Sequence, residues 1–259
     1  MRVYILFSDD PIFKPRLLHD ILIHGNFECC GVGEVASPKR GGFIKKAKHN
    51  FQFWGPGPLI YITMEHYLRK IIASFQLLSP SINGILSMKN VCESYKIPFS
   101  RVVNVNDALF LNELRELDLD LILSFQHQIF RDNILSVPKI ACINCHPALL
   151  PAYRGVKPIF WAMLNQESFF GVTVHTMTRK IDCGRIISQV KIPIIHQNTM
   201  FQNYRIAYAA SAFVIYQAIE SLKMQDITSF PIIPESSDYY REPSLDDIKR
   251  FKSFGLKLF

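Results

Sequence analysis

The chain has 259 residues, of which 49% are hydrophobic and 20% are charged, a balance that excludes an intrinsically disordered protein. A chain of this length can bury a full core without disulfides or metals. Its formal net charge of +7 favours acidic partners such as phosphates, nucleotides, polyglutamates or RNA, although a charge run is more often only a solvated face.

The N-terminal segment and the apolar runs bear on location. The apolar stretch at residues 3–7 is too short for a signal-peptide core, and acidic residues follow it at once. The run at residues 59–64 is far too short to cross a bilayer. We therefore expect a cytoplasmic protein whose six cysteines are reduced thiols.

The first third of the chain predicts strands and helices around an irregular segment. The apolar patterns indicate a buried strand at residues 3–7, a helix at 17–23, a second strand at 27–35 and a helix at 64–78. Residues 37–60, which contain several Gly and Pro residues and a local basic run, predict an insertion or long loop. The basic residues are Lys39, Arg40, Lys45, Lys46 and Lys48. We interpret the helix at 64–78 as core-facing, with a membrane or partner contact as the alternative.

From residue 86 onward, helices alternate with apolar strands. Ser87 can cap a helix that runs to about residue 95, and Asn106 or Asp107 can cap a helix that runs to about residue 117. Strands are predicted at 101–105, 119–125 and 140–145. This alternation predicts an α/β fold, an open and mostly parallel Rossmann-like sheet with helices on both faces.

The last part of the chain ends in a mixed, polar tail. The predicted elements are a helix at 157–165, strands at 171–177 and 185–194 that can pair as a hairpin, and a helix at 200–224. The tail predicts a short hairpin and then a helix from Ser244. We expect a catalytic domain over 1–198 and a C-terminal helix with a small extension over 199–259. The tail and the helix at 64–78 are candidate surfaces for a homodimer.

Candidate chemistry concentrates in residues 142–155, where a predicted strand ends in a loop that contains Pro and Gly. In open parallel sheets, ligands bind outside the carboxyl ends of strands. Asn144 and His146 are two residues apart, so they face the same side of an extended chain. Asp182, the acid of a second polar loop at 179–184, can reach His146 if the flanking strands are neighbours. An amide, an imidazolium and a carboxylate together favour acyl transfer, because they can stabilise an oxyanion and move protons.

One competing motif overlaps this segment. Cys142-x-x-Cys145-His146 has the literal form of a c-type haem attachment site. Covalent haem attachment normally follows export, and both cysteines lie in a predicted buried strand, so we interpret the match as coincidental. We expect no metal, because neither a second Cys-x-x-Cys nor a paired His motif accompanies the first.

These residues and their neighbours resemble the folate-dependent formyltransferases, which include glycinamide ribonucleotide, methionyl-tRNA and sugar-amine formyltransferases. The matching elements are Asn144-x-His146, Leu149-Leu150-Pro151-x-Tyr153-Arg154-Gly155, Pro158, Trp161-Ala162, Gly171-Val172-Thr173, Asp182-x-Gly184 and Gln189. The resemblance is good over residues 119–194 and weak before residue 86. It is specific because several spaced elements occur in the right order.

The resemblance implies a role for each part of the site. Asn144, His146 and Asp182 match the family's catalytic residues, and 10-formyltetrahydrofolate would be the formyl donor. In the implied mechanism, a neutral amine attacks the formyl carbon while Asn144 and protonated His146 hold the oxyanion and Asp182 assists proton transfer. The residues expected at the donor are Phe125, Gln126, His127, Gln128, Ile129, Ile181 and Gly184. Those expected at the acceptor are Tyr153, Arg154 and Gly155.

The sequence determines the acceptor less well than the donor. The stretch Ser8-Asp9-Asp10-Pro11 stands where a glycine-rich phosphate loop would follow the first strand, which argues against glycinamide ribonucleotide. Fewer than about seventy residues follow the last core strand, which is short for a full tRNA-binding domain. We therefore expect a small amine, first a nucleotide-linked amino sugar. A methionyl-tRNA formyltransferase-like enzyme and a non-catalytic folate- or nucleotide-binding module are the alternatives.

Overall fold

The computed structural model describes residues 1–36, 50–76, 87–195, 197–235 and 237–259, and these contain a seven-stranded sheet. Its strands are β1 (Arg2–Ser8), β2 (Glu28–Val35), β3 (Phe99–Val102), β4 (Leu121–Phe125), β5 (Ala141–His146), β7 (Phe169–Thr176) and β8 (Ile186–Pro193). The order across the sheet is β3-β2-β1-β4-β5-β7-β8; the first five strands are parallel, and β7 and β8 are antiparallel to their neighbours. The predicted α/β architecture and the β7–β8 hairpin are confirmed.

Helices cover both faces of this sheet. They are α1 (Lys14–His24), α2 (Pro56–Gln76), α3 (Met88–Ser94), α4 (Ala108–Glu116), α5 (Asp132–Leu135), α6 (Pro158–Leu164), α7 (Met200–Met224) and α8 (Leu245–Ser253). The core residues of α1, α3, α6, α7 and α8 belong to one apolar cluster, and those of α4 and α5 belong to a second. Alternate residues of β1 enter the two clusters, as the period of two along a strand requires. Val3, Ile5 and Phe7 lie in the larger cluster, whereas Tyr4 and Leu6 lie in the smaller.

Capping residues begin several helices where the sequence predicts them. The Ser87 side chain accepts a hydrogen bond from the amide of Asn90 and begins α3. Asp107, rather than Asn106, accepts from two amides at the start of α4. Thr199 and Gln202 form a capping box at the start of α7, whose predicted bounds are confirmed at both ends.

Three predictions are wrong at least in part. The helix predicted over 64–78 is not core-facing: none of the described side chains of α2 is buried, and Met64, Tyr67 and Ile71 are exposed. Residues 50–54 are helical and α2 begins at Pro56, so the loop predicted over 37–60 does not extend past residue 49; residues 37–49, with their basic run, lie outside the described part of the chain. Proline is tolerated in a first helical turn, which explains why Pro56 begins the helix rather than marking a loop. No hairpin forms among the described residues of the tail. Instead, β9 (Tyr239–Tyr240) pairs in parallel with the distant β6 (Arg154–Gly155). The helix from Ser244 is confirmed as α8.

The sheet places its topological switch point between β1 and β4. The chain runs from β1 outward to β2 and β3, and then returns to β4 and continues outward on the other side to β5. Ligands of open α/β sheets bind in the crevice at the carboxyl ends of strands beside such a reversal. Among the described residues, no helix is both long and apolar enough to cross a membrane.

Candidate functional site

Asn144 and His146 lie at the carboxyl end of β5, on the same face of the sheet. The strand pairing places Asn144 between Ser124 of β4 and His175 of β7, and it places His146 opposite Thr173. Parallel pairing on one side and antiparallel pairing on the other therefore put polar side chains of three strands next to one another.

Asp182 approaches this group from the loop between β7 and β8. Its Oδ1 atom lies 3.8 Å from Nδ1 of His146 and 3.8 Å from Nε2 of His175, and all three side chains are buried. Both distances are too long for hydrogen bonds, but they place the carboxylate within 4 Å of both rings. The structure thus brings together the three residues that the sequence predicts as catalytic, while their roles stay predictions.

The backbone around Asp182 has an unusual conformation. Asp182 itself has φ of 50°, in the left-handed region that non-glycine residues rarely adopt. Its Oδ2 atom accepts a 2.7 Å hydrogen bond from the amide of Gly155. A Cβ atom at Gly184, two residues later, would collide with the Thr176 carbonyl, so only glycine fits the turn. These contacts fix the carboxylate in one orientation beside the two histidines.

The hydrogen bonds of His146 define which of its nitrogens carries a proton. Nε2 lies 3.2 Å from the carbonyl oxygen of Tyr153, which can only accept, so Nε2 is the donor. Nδ1 therefore faces Asp182 and carries a proton only when the ring is charged. The carboxylate stands where it can stabilise that charged form.

His175 is a part of the site to which the sequence assigns no role. Its Nδ1 donates to the carbonyl of Thr176 at 2.8 Å, which leaves Nε2 to accept a hydrogen bond from the Asn144 amide at 3.3 Å. Burial lowers the pKa of His175 to about 4, so the ring is neutral at pH 7 and keeps this acceptor. His175 lies next to the matched segment, in Gly171-Val172-Thr173-x-His175, and this position was the signal in the sequence that could have identified it. A strand position alone, however, does not show a hydrogen bond to Asn144.

Ser124 adds a polar group without a protein partner. Its hydroxyl is fully buried next to Asn144 in the strand register, and it makes no hydrogen bond within the described part of the chain. Such an atom is rare in folded proteins because leaving it unpaired is costly. The hydroxyl therefore has hydrogen-bonding capacity that the described residues do not use.

The residues expected at the donor follow β4, at the switch point. The Phe125 carbonyl accepts a 2.9 Å hydrogen bond from the ammonium of Lys14, which also contacts Ser8; burial lowers the pKa of Lys14 to about 8. The side chain of Gln128 donates to the carbonyls of Ala36 and Val103, at 3.0 and 2.8 Å. That side chain joins the ends of β2 and β3, so Gln128 can meet a donor only through its backbone.

The other expected donor residues differ in accessibility. Gln126 donates to the Gln128 carbonyl at 2.7 Å, which shapes the turn after β4. Ile129 and Ile181 are both exposed, so their apolar side chains are open to a ligand. His127 interacts with another group of the protein, and its position indicates no specific role at the donor.

The residues expected at the acceptor are held by a C-terminal strap, residues 237–242. The guanidinium of Arg154 is buried and donates to backbone carbonyls, among them Ile181 at 3.0 Å and Ser237 at 2.9 Å. The hydroxyl of Tyr153 donates to Glu167 at 2.8 Å, and its ring stacks on Tyr240 of the strap. Arg154 therefore connects the Asp182 loop to the strap. The sequence did not indicate this positioning role.

The geometry separates the two cysteines of the haem-like motif. Cys142 belongs to the smaller apolar cluster and Cys145 to the larger, so their side chains lie on opposite faces of β5. The Cys142 thiol donates to the Ile134 carbonyl at 3.4 Å, and burial raises the pKa of both thiols. Two side chains on opposite faces of a sheet cannot both bond to one haem.

Comparison with known proteins gives one family. The family described as "Formyl transferase" matches residues 87–217. Among curated relatives, the chain is 33% identical over 171 residues to the "Bifunctional polymyxin resistance protein ArnA" of Wigglesworthia glossinidia brevipalpis, covering 66% of this chain and 25% of the relative. It is 32% identical over 140 residues to the "Methionyl-tRNA formyltransferase" of Borrelia garinii subsp. bavariensis, covering 54% of this chain and 44% of the relative. The chain thus spans less than half the length of either relative.

Solved structures share the fold at low sequence identity. Glycinamide ribonucleotide transformylase 1 of Symbiobacterium toebii superposes with a TM-score of 0.62 at 16% identity, covering 90% of this chain and 93% of that one. A sugar N-formyltransferase of a Shewanella species superposes with a TM-score of 0.56 at 17% identity, covering 98% of this chain and 87% of that one. The shared fold therefore includes residues before and after the segment that the family matches.

Proposed function

The chain belongs to the formyl transferase family, and from that premise we propose that it transfers a formyl group from 10-formyltetrahydrofolate to the amine of a small molecule. One observation carries the proposal. Asn144, His146 and Asp182 converge in a buried cluster at the carboxyl end of β5, where an open α/β sheet binds its ligands. We propose these three as the catalytic residues.

The donor fits the polar groups at this edge of the sheet. The unpartnered hydroxyl of Ser124 lies beside Asn144, and the exposed side chains of Ile129 and Ile181 offer apolar contacts. We propose that backbone groups of residues 125–129 and the loop at Ile181 and Gly184 hold the donor. When bound, the donor supplies a formyl carbon that an amine can attack, with negative charge developing on the formyl oxygen.

Asn144 and His146 would stabilise that charge. One hydrogen of the Asn144 Nδ2 group is directed at His175, which leaves the second free for the developing oxyanion. His175 holds the amide in this orientation because its Nε2 can only accept. A charged His146 adds positive electrostatic potential in a buried site, where such interactions are stronger than in water.

Asp182 has two functions in the proposed reaction. Its carboxylate stabilises the charged ring of His146, and it can take the proton that the attacking amine loses. That proton can then go to the folate nitrogen, which leaves as tetrahydrofolate when its bond to the formyl carbon breaks. The Gly155 amide holds Oδ2, so Oδ1 is the atom that faces both histidines. One carboxylate oxygen thus holds the Asp182 side chain in place, and the other is available for proton transfer.

For the acceptor, we propose a small amine, first a nucleotide-linked amino sugar. The fold shared with a sugar N-formyltransferase supports this choice. Methionyl-tRNA is the second candidate, because a methionyl-tRNA formyltransferase is a relative at 32% identity and the chain carries a net charge of +7. The cytoplasmic location stays a prediction.

The test combines donor binding with turnover. We expect wild type to bind a stable 10-formyltetrahydrofolate analogue by calorimetry and to formylate one member of a panel of amino sugars, nucleotide-linked amines and tRNA. His146→Ala should retain the analogue and lose turnover by about 10²–10⁴-fold, because it removes a group that acts on the developing charge. His24→Ala, an exposed histidine at the end of α1, is the matched control and should match wild type. Absence of donor binding in wild type, or near-normal turnover in His146→Ala, would contradict the proposal.

A further inference from the structure

Helix α2 presents its apolar side to solvent. Six large side chains, each more than half exposed, follow one another at helical spacing along it. They are Ile60, Tyr61, Met64, Tyr67, Leu68 and Ile71, and we call this set the α2 stripe. Tyr61 contacts the ring of Phe259, and it is nevertheless 52% exposed.

The opposite side of α2 carries its described charged residues. Glu65 and Arg69 are half-buried there and form a 2.6 Å ion pair one helical turn apart. None of the α2 side chains that the structure describes is buried. A surface helix normally turns its apolar stripe toward the core and its charges toward water, so this orientation is the reverse of the usual one.

Such a helix needs a further surface to be stable. Most of the stability of helices in proteins comes from packing an apolar face, not from intrinsic propensity. The α2 stripe presents on the order of 600 Å² of side-chain surface, near the upper limit for an apolar patch on a monomer. It also approaches the ~800 Å² that each partner contributes to a standard interface.

The spacing of the stripe points to its partner. Ile60, Met64, Tyr67 and Ile71 are separated by four, three and four residues, so the pattern reads the same in both directions. An isologous two-fold interface requires such self-complementarity, because the same surface is used by both copies. Steps of three and four residues are also those of helices that pack side by side.

We propose that the α2 stripe is a homodimer interface in which the α2 helices of two copies pack antiparallel about a two-fold axis between residues 65 and 66. In this register Ile60 of one copy faces Ile71 of the other, and Met64 faces Tyr67. Each copy thus covers the apolar face that the other exposes.

A membrane surface fits the stripe less well. Helices that lie on membranes have a polar face rich in Lys and Arg opposite the apolar face that enters the lipid. On the polar side of α2, the two charged side chains that the structure describes are Glu65 and Arg69, whose ion pair leaves no basic excess there. Two copies of net charge +7 repel each other at long range, so salt should tighten the dimer, whereas it would weaken binding to anionic lipid.

The first test is sedimentation of the full chain over a range of salt concentrations. We expect wild type at twice the monomer mass, with self-association that tightens as salt rises. Met64→Asp, close to the axis, should raise the dissociation constant by at least about 30-fold, because it places a charge in the centre of the interface twice. Leu109→Asp on α4, where the leucine is 74% exposed, is the matched control and should remain dimeric. A monomeric wild type at every salt concentration, or a dimeric Met64→Asp, overturns the proposal.

Thiol cross-linking tests the register itself. Antiparallel pairing about this axis separates the two copies of residue 64 by roughly 5 Å along the helices, and the two copies of residue 60 by roughly 16 Å. A short bis-maleimide should therefore join two copies of Met64→Cys but not two copies of Ile60→Cys. Mixing Ile60→Cys with Ile71→Cys should restore the cross-link, and wild type controls for the native cysteines. Cross-linking of Ile60→Cys to itself overturns the antiparallel register. Because no step involves turnover, failure here is distinct from failure of the proposed activity.

Discussion

At the scale of single residues, the neutral state of His175 determines how Asn144 is oriented. The ring accepts from the Asn144 amide only while Nε2 is unprotonated, and burial lowers its pKa to about 4. The nearby Asp182 carboxylate acts in the opposite direction, but desolvation is the larger effect. A buried and neutral histidine is therefore a positioning residue for the amide that we propose as an oxyanion donor.

This lowered pKa predicts a pH dependence of stability. An unfolded histidine takes up a proton near pH 6.5, whereas folded His175 does so only near pH 4. Its contribution to stability is therefore complete above about pH 6.5 and is lost as the pH falls toward 4. Between pH 7 and 5, wild type should lose about 2 kcal/mol of unfolding free energy from this group, and His175→Leu should lack that loss. Urea unfolding at both pH values measures the difference; equal losses in the two proteins would show that His175 does not titrate this way.

Removing the buried hydroxyl of Ser124 should have different effects on the stability of the protein and on its binding of the donor. An unpaired buried hydroxyl costs about 1–3 kcal/mol, so Ser124→Ala should leave the melting temperature unchanged or raise it. If a bound donor supplies the missing partner, the same variant should weaken binding of the donor analogue by about 10-fold. Ser211→Ala is the control, because that buried hydroxyl already donates to the Ala207 carbonyl at 2.8 Å. Unchanged donor affinity in Ser124→Ala would remove Ser124 from the site.

At the scale of secondary-structure elements, the pairing of β6 with β9 connects the C-terminal strap to the Asp182 loop. The Gly155 amide donates to Asp182, while Arg154 next to it donates to the carbonyls of Ile181 and Ser237. Trp161 of α6 also donates to the strap, at the Arg241 carbonyl. A two-residue strand pair thus transmits the position of the strap to the carboxylate beside His146.

Gly155→Ala tests this connection. Gly155 has φ of 104°, and a Cβ atom there would collide with the Tyr240 carbonyl, so alanine must separate β6 from β9. We expect a loss of a few kcal/mol of stability and a fall in turnover of at least about 10-fold, since Asp182 loses its amide partner. Gly57→Ala is the control, because a Cβ there meets nothing within 4 Å. Thermal unfolding and turnover in parallel measure both effects; wild-type behaviour of Gly155→Ala would show that the strap does not position Asp182.

At the scale of the whole molecule, the residues proposed for the donor and those proposed for the acceptor meet at the Asp182 loop. The residues proposed for the donor lie at the end of β4, beside the switch point, and in the loop between β7 and β8, which Arg154 joins to the strap. The proposed dimer interface lies on α2, which belongs to neither group. The site that we propose for catalysis and the surface that we propose for association are therefore on different elements, so a substitution can disrupt either one without direct contact with the other.

The sequence by itself determined the elements, because apolar periodicity and capping are local properties of the chain. It predicted both ends of α7, the Ser87 cap and the parallel core of the sheet. It also predicted Asn144, His146 and Asp182 as one group, because motifs that occur in the same order as in a known family indicate a shared fold. The family match confirms that resemblance.

The tertiary structure alone decided which of these elements meet, and what each side chain does there. Arg154 contacts Ser237, 83 residues away. No local pattern in the sequence shows whether the Arg154 side chain binds that residue or an amine substrate. Periodicity likewise showed that α2 has an apolar side, but not that this side faces away from the sheet. Local sequence fixes the period of an element, whereas its orientation depends on contacts between distant residues.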